Sequence, residues 1–94
     1  MTIHHDAEGN RFCLYDEAEE LAGEIVYQHA GDGILHATHT NVLPQHEGKG
    51  YAAVLLDALC AWAVAQNLKI VPVCSYVVRA FSKRPEKYAS VIVK

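Results

Sequence analysis

A strand, a turn with two glycines and a long apolar helix are predicted to follow one another between Val42 and Gln66. Gly48 and Gly50 stand at the junction, where glycine lets the backbone turn tightly and come close to a ligand. The first N–H groups of a helix have no intrahelical partner, and the helix dipole adds partial positive charge at that end. The junction therefore predicts an anion site, above all for phosphate.

Two familiar phosphate-binding patterns fit this junction poorly. A P-loop needs Ser or Thr after its lysine, but Lys49 is followed by Gly50 and the first glycine of that pattern is missing. The dinucleotide fingerprint Gly-x-Gly-x-x-Gly/Ala matches residues 48–53. It also requires an acidic residue about 20 positions later within a parallel βαβ unit. Leu68 and Lys69 stand there instead, and the preceding segment reads as antiparallel.

A third pattern, Gln/Arg-x-x-Gly-x-Gly/Ala, is met by Gln45, Gly48 and Gly50. This loop resembles the pyrophosphate loop of the GNAT superfamily of N-acetyltransferases, which hold acetyl-CoA. The motif is short, so on the loop alone a glycine-rich turn that binds nothing remains an equal alternative.

Alternating apolar residues predict three strands before the loop. These are Arg11–Tyr15, Gly23–Gln28 and Ile34–His39. Residues Thr40–Leu43 either continue the third strand or form a fourth, which should end at Pro44. Residues 16–20 are predicted to form an acidic turn with solvated charges, and residues 29–33 a hairpin loop. His4 and His5 are placed in a loose terminus.

The segment after the loop predicts a helix, a strand and a second helix. The helix, Gly50–Gln66, is apolar nearly all round, so it should be packed with little of it in water, and Asn67 should stop it. A right-handed crossover makes the strand Leu68–Val73 parallel to the strand before the loop. Ser75 is expected to cap the second helix, Pro85 to end it, and Ser90–Val93 to form a last strand. The prediction is one α/β (α+β) domain over residues 1–94, with a mixed, mostly antiparallel sheet.

Composition and charge narrow the classes of partner. A net charge of −3 without a basic block argues against nucleic acid, and the longest apolar run is too short to cross a membrane. Three cysteines without a Cys-x-x-Cys pair or signal peptide predict reduced thiols in the cytoplasm. Of six histidines, His36 and His39 would face opposite sides of a regular strand, so no metal site is predicted.

A second motif makes the resemblance more specific. Pro72-x-Cys74-Ser75-Tyr76-Val77 follows the helix, and His39-Thr40-Asn41-Val42 precedes the loop. This order resembles the small GNAT-like proteins often called YidJ- or Gtlp-type predicted acetyltransferases, over about residues 9 to 93. Phe81 replaces a tyrosine of that family, and Arg84 replaces a histidine. Compared with full-length enzymes of the superfamily the chain is short, so we expect it to lack the N-terminal helices that help to wall the acceptor site there.

The resemblance implies binding of acetyl-CoA or CoA, with the pyrophosphate on the N–H groups of residues 46–51 and the pantetheine arm along the preceding strand. The implied cofactor-binding residues are Asn41, Val42, Leu43, Gln45, His46, Glu47, Gly48, Lys49, Gly50, Tyr51, Ala52 and Tyr76. Cys74, at a strand end before a helix start that favours thiolate, is the candidate catalytic nucleophile. Direct attack by the acceptor amine, with Cys74 only lining the pocket, is the competing mechanism.

The predicted function is therefore that of an N-acetyltransferase acting on an unidentified amine or protein acceptor, as a monomer or weak dimer. A protein of another class remains open: a CoA-binding or protein-interaction module without catalysis of its own.

Overall fold

The computed structural model describes residues 1–93. Its five strands form one sheet in the order β1-β2-β3-β4-β5, in which only β4 and β5 are parallel. The elements are β1 (Thr2–Asp6), β2 (Arg11–Tyr15), β3 (Leu21–His29), β4 (Ile34–Val42), α1 (Tyr51–Ala65), β5 (Lys69–Pro72) and α2 (Ser75–Lys83), with a short 3-10 turn at Pro44–His46. The predicted mixed, mostly antiparallel sheet is confirmed. Lys94, the last residue of the predicted domain, lies outside the described residues.

The first strand, β1, was not predicted from the sequence. Its residues His4 and His5 were expected in a loose terminus, but β1 pairs antiparallel with β2. The ring of His5 stacks on Phe12 with centroids 4.1 Å apart, and its Nε2 lies 2.7 Å from the hydroxyl of Tyr27. The His5 ring therefore packs β1 against the neighbouring strands, as an apolar side chain does in an ordinary strand.

The helix α1 places one side on the sheet. Its buried residues are Leu55, Leu56, Leu59 and Ala63. They share one core cluster with Ile25 and Leu35 of the sheet and with Val77 and Phe81 of α2. On the opposite side Asp57, Ala61 and Val64 are exposed. Apart from Ala65, the other residues of α1 are buried or half-buried, so the exposed stripe is narrow and the expectation that little of the helix meets water is confirmed. The predicted stop at Asn67 is confirmed by its positive φ of 59°.

A β-bulge interrupts β4. Val26 pairs with His39 and Tyr27 with Ala37, so Thr38 has no partner opposite it. Leu35 and Ala37 are fully buried toward the helices before the bulge.

The bulge changes which side chains share a face of β4. The extra residue shifts the alternation, so Thr40 and Val42 face the helices after the bulge. His36 and His39 consequently both lie on the other face, because the expectation that they face opposite sides holds only for a strand without a bulge between them. Within residues 1–93, no group of three or more His, Cys, Asp or Glu side chains could hold a metal ion.

The C-terminal segment departs from expectation at two points. Cys74, with extended φ and ψ of −73° and 149°, is the N-cap of α2, whereas Ser75 is its first helical residue. The predicted strand Ser90–Val93 is a turn in which Ile92 makes one isolated bridge to Ile70. Pro85 does follow the end of α2, as predicted. In the part of the chain that the structure describes, no helix is long and apolar enough to span a bilayer.

Candidate functional site

The loop before α1 owes its shape to two glycines. Gly48 has φ 82° and Gly50 has φ 79°, values that other residues adopt only at a cost. A Cβ built at either position meets no described heavy atom within 4 Å. The glycines are therefore needed for the backbone conformation and not to avoid a clash inside the protein, so the space beside them is open to a ligand.

The N–H groups at the start of α1 lie beside this open space and are not used within the described chain. Gly50 is the N-cap, and no side chain of residues 1–93 caps the helix. The first of these groups to find a backbone acceptor is that of Val54, which donates to Gly50 O at 3.2 Å. Among the described residues, the N–H groups of residues 48–53 have no backbone acceptor. This donor set suits the oxygens of a phosphate or diphosphate.

Side chains around His46 attach the loop to the sheet. His46 Nε2 lies 3.2 Å from Asp16 Oδ2, and the rings of His46 and Tyr51 stack with centroids 5.4 Å apart. Lys49 Nζ lies 3.2 Å from His46 Nδ1. Asp16 was expected to be merely solvated, but it accepts this contact, and the N–H of Glu20 lowers the pKa of its carboxyl group. A charged Asp16 at neutral pH thus holds the loop beside the β2–β3 turn.

The strands β4 and β5 separate beside the loop. They pair only from Ile34–Lys69 to Ala37–Pro72. Beyond that point Val73 N and Cys74 N both donate to Ala37 O, at 3.1 and 3.0 Å, and the chain then turns into α2. β4 continues to Val42 without a partner on this side, so an open cleft separates the two strand ends.

Main-chain groups of β4 face this cleft at alternate residues. Leu43 N donates to Ala22 O at 2.9 Å, on the β3 side. Since successive residues of a strand direct their polar groups to opposite neighbours, Asn41 also points toward β3, whereas Thr40 and Val42 point into the cleft. The Asn41 side chain lies near Glu24, with Nδ2 3.3 Å from Oε2. Of the predicted strand residues, Val42 therefore reaches the cleft through its main chain, and Thr40 joins it because the bulge shifts the alternation.

Most of the predicted loop residues line one cavity of about 280 Å³ together with Val42 and Tyr76. His46, Gly48, Gly50 and Tyr51 belong to this lining. Tyr76 enters from the first turn of α2, and burial raises the pKa of its hydroxyl group. Gln45 and Leu43 are exposed outside it. The structure thus brings the loop and Tyr76 together around one cavity.

Cys74 lies at the end of the cleft. Its Sγ is 3.3 Å from Thr40 Oγ1, and the residue is half-buried at the N-terminus of α2. The other two thiols have different surroundings. Burial raises the pKa of Cys13, and burial followed by the negative charge of Asp57 raises the pKa of Cys60 to about 12. Thiolate formation is therefore disfavoured at Cys13 and Cys60.

The chain belongs to the family described as GCN5-related N-acetyl-transferase, whose model matches residues 11–91. It is 24% identical over 85 residues to the mouse Protein NATD1, covering 90% of this chain and 77% of that protein. The family and the GNAT fold confirm the predicted resemblance, whereas the finer YidJ- or Gtlp-type assignment stays a prediction.

Solved structures share this architecture. A GCN5-like protein from Staphylococcus aureus, determined in solution by NMR, superposes with a TM-score of 0.75 at 26% identity, over 98% of this chain and 87% of that one. An N-acetylglutamate synthase from Neisseria gonorrhoeae, complexed with coenzyme A and N-acetyl-glutamate, has a TM-score of 0.68 at 17% identity. It covers 87% of this chain and 22% of the synthase.

Proposed function

We propose that this protein is an acetyl-CoA-dependent N-acetyltransferase that moves an acetyl group to an amine. The observation that carries the proposal is the adjacency of two features. Among the described residues, the N–H groups of residues 48–53 at the start of α1 have no backbone acceptor. Beside them, the cleft between β4 and β5 leads to Cys74. Family membership supports acyl transfer as the reaction.

The residues present fit the parts of CoA. The diphosphate would accept from the N–H groups of residues 48–53, where the dipole of α1 favours negative charge. Lys49, exposed on the same loop, adds a positive charge. The amide-rich pantetheine arm would pair with the main chain of Thr40 and Val42 as an added strand does. The thioester would then lie toward Cys74, at the other end of the open part of β4.

The chemical step we propose begins at Cys74. The Cys74 thiol gives up its proton and the thiolate attacks the thioester carbonyl carbon. A new carbon–sulfur bond forms, the bond between the carbonyl carbon and the CoA sulfur breaks, and CoA leaves as a thiolate that takes up a proton. The N–H of Thr40, whose side chain contacts Cys74 Sγ, is placed to donate to the carbonyl oxygen as negative charge develops on it. An acceptor amine then attacks the acetylated Cys74, the amide bond forms, the amine loses a proton, and the Cys74 thiolate is released.

Two neighbours support Cys74 in this role. The Thr40 hydroxyl, 3.3 Å from Sγ, donates to a thiolate in the same geometry. The N-terminus of α2 adds partial positive charge at the sulfur. Cys13 and Cys60 have neither advantage, and all three cysteines are free. The proposed location, the cytoplasm, keeps such thiols reduced.

The test is acetylation of the protein by acetyl-CoA, followed by peptide mass spectrometry under denaturing conditions. A thioester on Cys74 alone is expected. Cys74→Ser should lose the label and most of the amine acetylation while CoA still binds, and Cys60→Ser, the matched control, should keep both.

Two other outcomes would contradict the proposal at different levels. Full transfer by Cys74→Ala would mean that the amine attacks acetyl-CoA directly, and that Cys74 only lines the site. An unlabelled wild type that acetylates no amine or peptide, yet binds CoA, would identify a CoA-binding module instead.

A further inference from the structure

A second cavity adjoins the candidate site on its α2 side. It has a volume of about 410 Å³ and lies between the first turns of α1 and the length of α2. Ala53 and Tyr76 line both this cavity and the one at the phosphate loop. The two cavities therefore adjoin at these residues, which is the geometry needed for a ligand whose diphosphate sits at the start of α1 to extend into the second. We call this second cavity the α2 groove.

The α2 groove is basic although the chain is acidic. Arg79, Lys83, Arg84 and Lys87 line it, which is half of the eight Lys and Arg residues of a chain with net charge −3. Lys87 is engaged, since its Nζ lies 3.3 Å from Asp57 Oδ1. Within residues 1–93 the other three make no salt bridge, and all three are exposed.

The shape and chemistry of the α2 groove select a class of ligand. Its volume lies within the range of sites for small organic ligands, which starts at about 300 Å³. Tyr76 contributes a half-buried aromatic ring. The three cations without a salt bridge are of the residue types that hydrogen-bond phosphate oxygens. An aromatic ring beside clustered cations suits a nucleoside that carries a phosphate of its own.

We propose that the α2 groove binds the adenosine 3′-phosphate end of CoA, and that Arg79, Lys83 and Arg84 recognise its 3′-phosphomonoester. The inference rests on the proposed function, because it takes the diphosphate of the same ligand to lie at the start of α1. A phosphomonoester has a second pKa of about 6, so it carries almost two negative charges at neutral pH. Each phosphate of the diphosphate carries one, so the 3′-phosphate is the most highly charged phosphate of CoA. The protein should then distinguish CoA from dephospho-CoA, which lacks only that group.

The experiment compares these two ligands by calorimetry. Wild type should bind CoA about tenfold or more tightly than dephospho-CoA, since hydrogen bonds to charged groups contribute on that scale. The variant Lys83→Gln/Arg84→Gln should lose most of this preference and keep the wild-type affinity for dephospho-CoA. Both side chains are exposed, so the variant should fold. Added salt should weaken CoA binding more than dephospho-CoA binding, because the 3′-phosphate contacts are exposed.

Lys69→Gln is the control for net charge. Lys69 lines a different cavity, where its Nζ donates to Ser90 O, so this variant should keep the preference for CoA. An equal loss of preference in Lys69→Gln would overturn the inference, because overall charge would then explain it. Equal binding of CoA and dephospho-CoA by wild type would also overturn it, yet leave the proposed function intact. If wild type bound neither ligand, the proposed function itself would fail.

Discussion

The two sides of β4 differ in how far they are paired. Toward β3, pairing runs from Gly23–Val42 to His29–Leu35, interrupted only by the bulge. Toward β5 it covers only Ile34 to Ala37. β4 therefore has a closed side, which is paired with β3, and an open side toward β5, on which the polar groups beyond Ala37 have no strand partner. Stability and ligand binding should depend on different residues, and substitutions can separate them.

The largest expected effect is on the free energy of unfolding, from substitutions in the hydrophobic core between α1 and the sheet. Leu56 and Leu59 of α1 are fully buried. Leu56→Ala or Leu59→Ala should lower the free energy of unfolding by about 2–5 kcal/mol, through lost burial and the cavity left behind. A domain of this size has about 5 kcal/mol or somewhat more in total, so either variant should be near unfolding.

Denaturant titration followed by circular dichroism measures this loss. Val64→Ala is the matched control, because Val64 lies on the same helix and is 54% exposed. It should stay within about 0.5 kcal/mol of wild type. If the two leucine variants unfolded at the wild-type midpoint, α1 would not be packed on the sheet as described.

The next largest expected effect is on CoA binding at the loop before α1, which lies beside the open side of β4. Gly48→Glu should abolish detectable CoA binding in calorimetry, because its carboxylate would lie where the diphosphate is proposed to bind. Its backbone strain at positive φ should cost about 1–2 kcal/mol of stability, less than a core leucine.

Gly33→Glu provides the matched control for Gly48→Glu. The φ angles of Gly33 and Gly48 are 72° and 82°, so both variants carry similar strain and the same added charge. Gly33 lies next to Asn67, past the far end of α1. The first and last residues of that helix are about 21 Å apart. Gly33→Glu should therefore be destabilised to a similar extent and bind CoA normally. Loss of CoA binding in both variants would contradict the proposal that the loop at Gly48 binds the diphosphate.

The smallest expected effect is on the pH dependence of stability, and it tests whether the contacts of His5 in β1 stabilise the fold. Burial lowers the pKa of His5, which contacts Phe12 and Tyr27. The unfolded chain, with an ordinary histidine pKa near about 6.5, then takes up a proton before the folded chain does. Stability should fall as the pH drops from about 7 toward the lowered pKa of folded His5.

The pH dependence of the thermal midpoint measures this effect. His5→Gln should have a flatter profile below about pH 7 than wild type. His39→Gln, which removes an exposed histidine from β4, should keep the wild-type slope. Parallel profiles for wild type and His5→Gln would show that β1 contributes nothing pH-dependent to stability.

Local patterns predicted most of the secondary structure. The alternation in Arg11–Tyr15 and the apolar repeat of α1 are short-range signals, and the structure places both elements as expected. β1 escaped prediction because Thr2–Asp6 has no apolar alternation, and its anchor is a contact of His5 with residues far along the chain. A periodicity argument cannot detect a polar ring that packs in place of an apolar one.

The site was predictable where it depends on neighbours in sequence. The Gly48 and Gly50 turn and the Cys74 position follow from motifs. The tie between His46 and Asp16 joins residues 30 positions apart, and the α2 groove requires α1 and α2 to lie side by side. The contribution of Thr40 depends on the bulge, for which the residues around Thr38 give no clear signal.

The bulge at Thr38 already accommodates one extra residue of β4. Because Thr38 has no partner opposite it, removing it would restore one-to-one pairing and leave Thr40 and Val42 facing the helices. Side chains and polar groups of a strand alternate with period two, so one further residue inserted before Asn41 would turn Asn41 toward the helices and the main chain of Val42 away from the cleft. A turn such as residues 30–33 can absorb a changed length at the surface. Insertions among relatives should therefore collect in the turns and be rare between His39 and Val42.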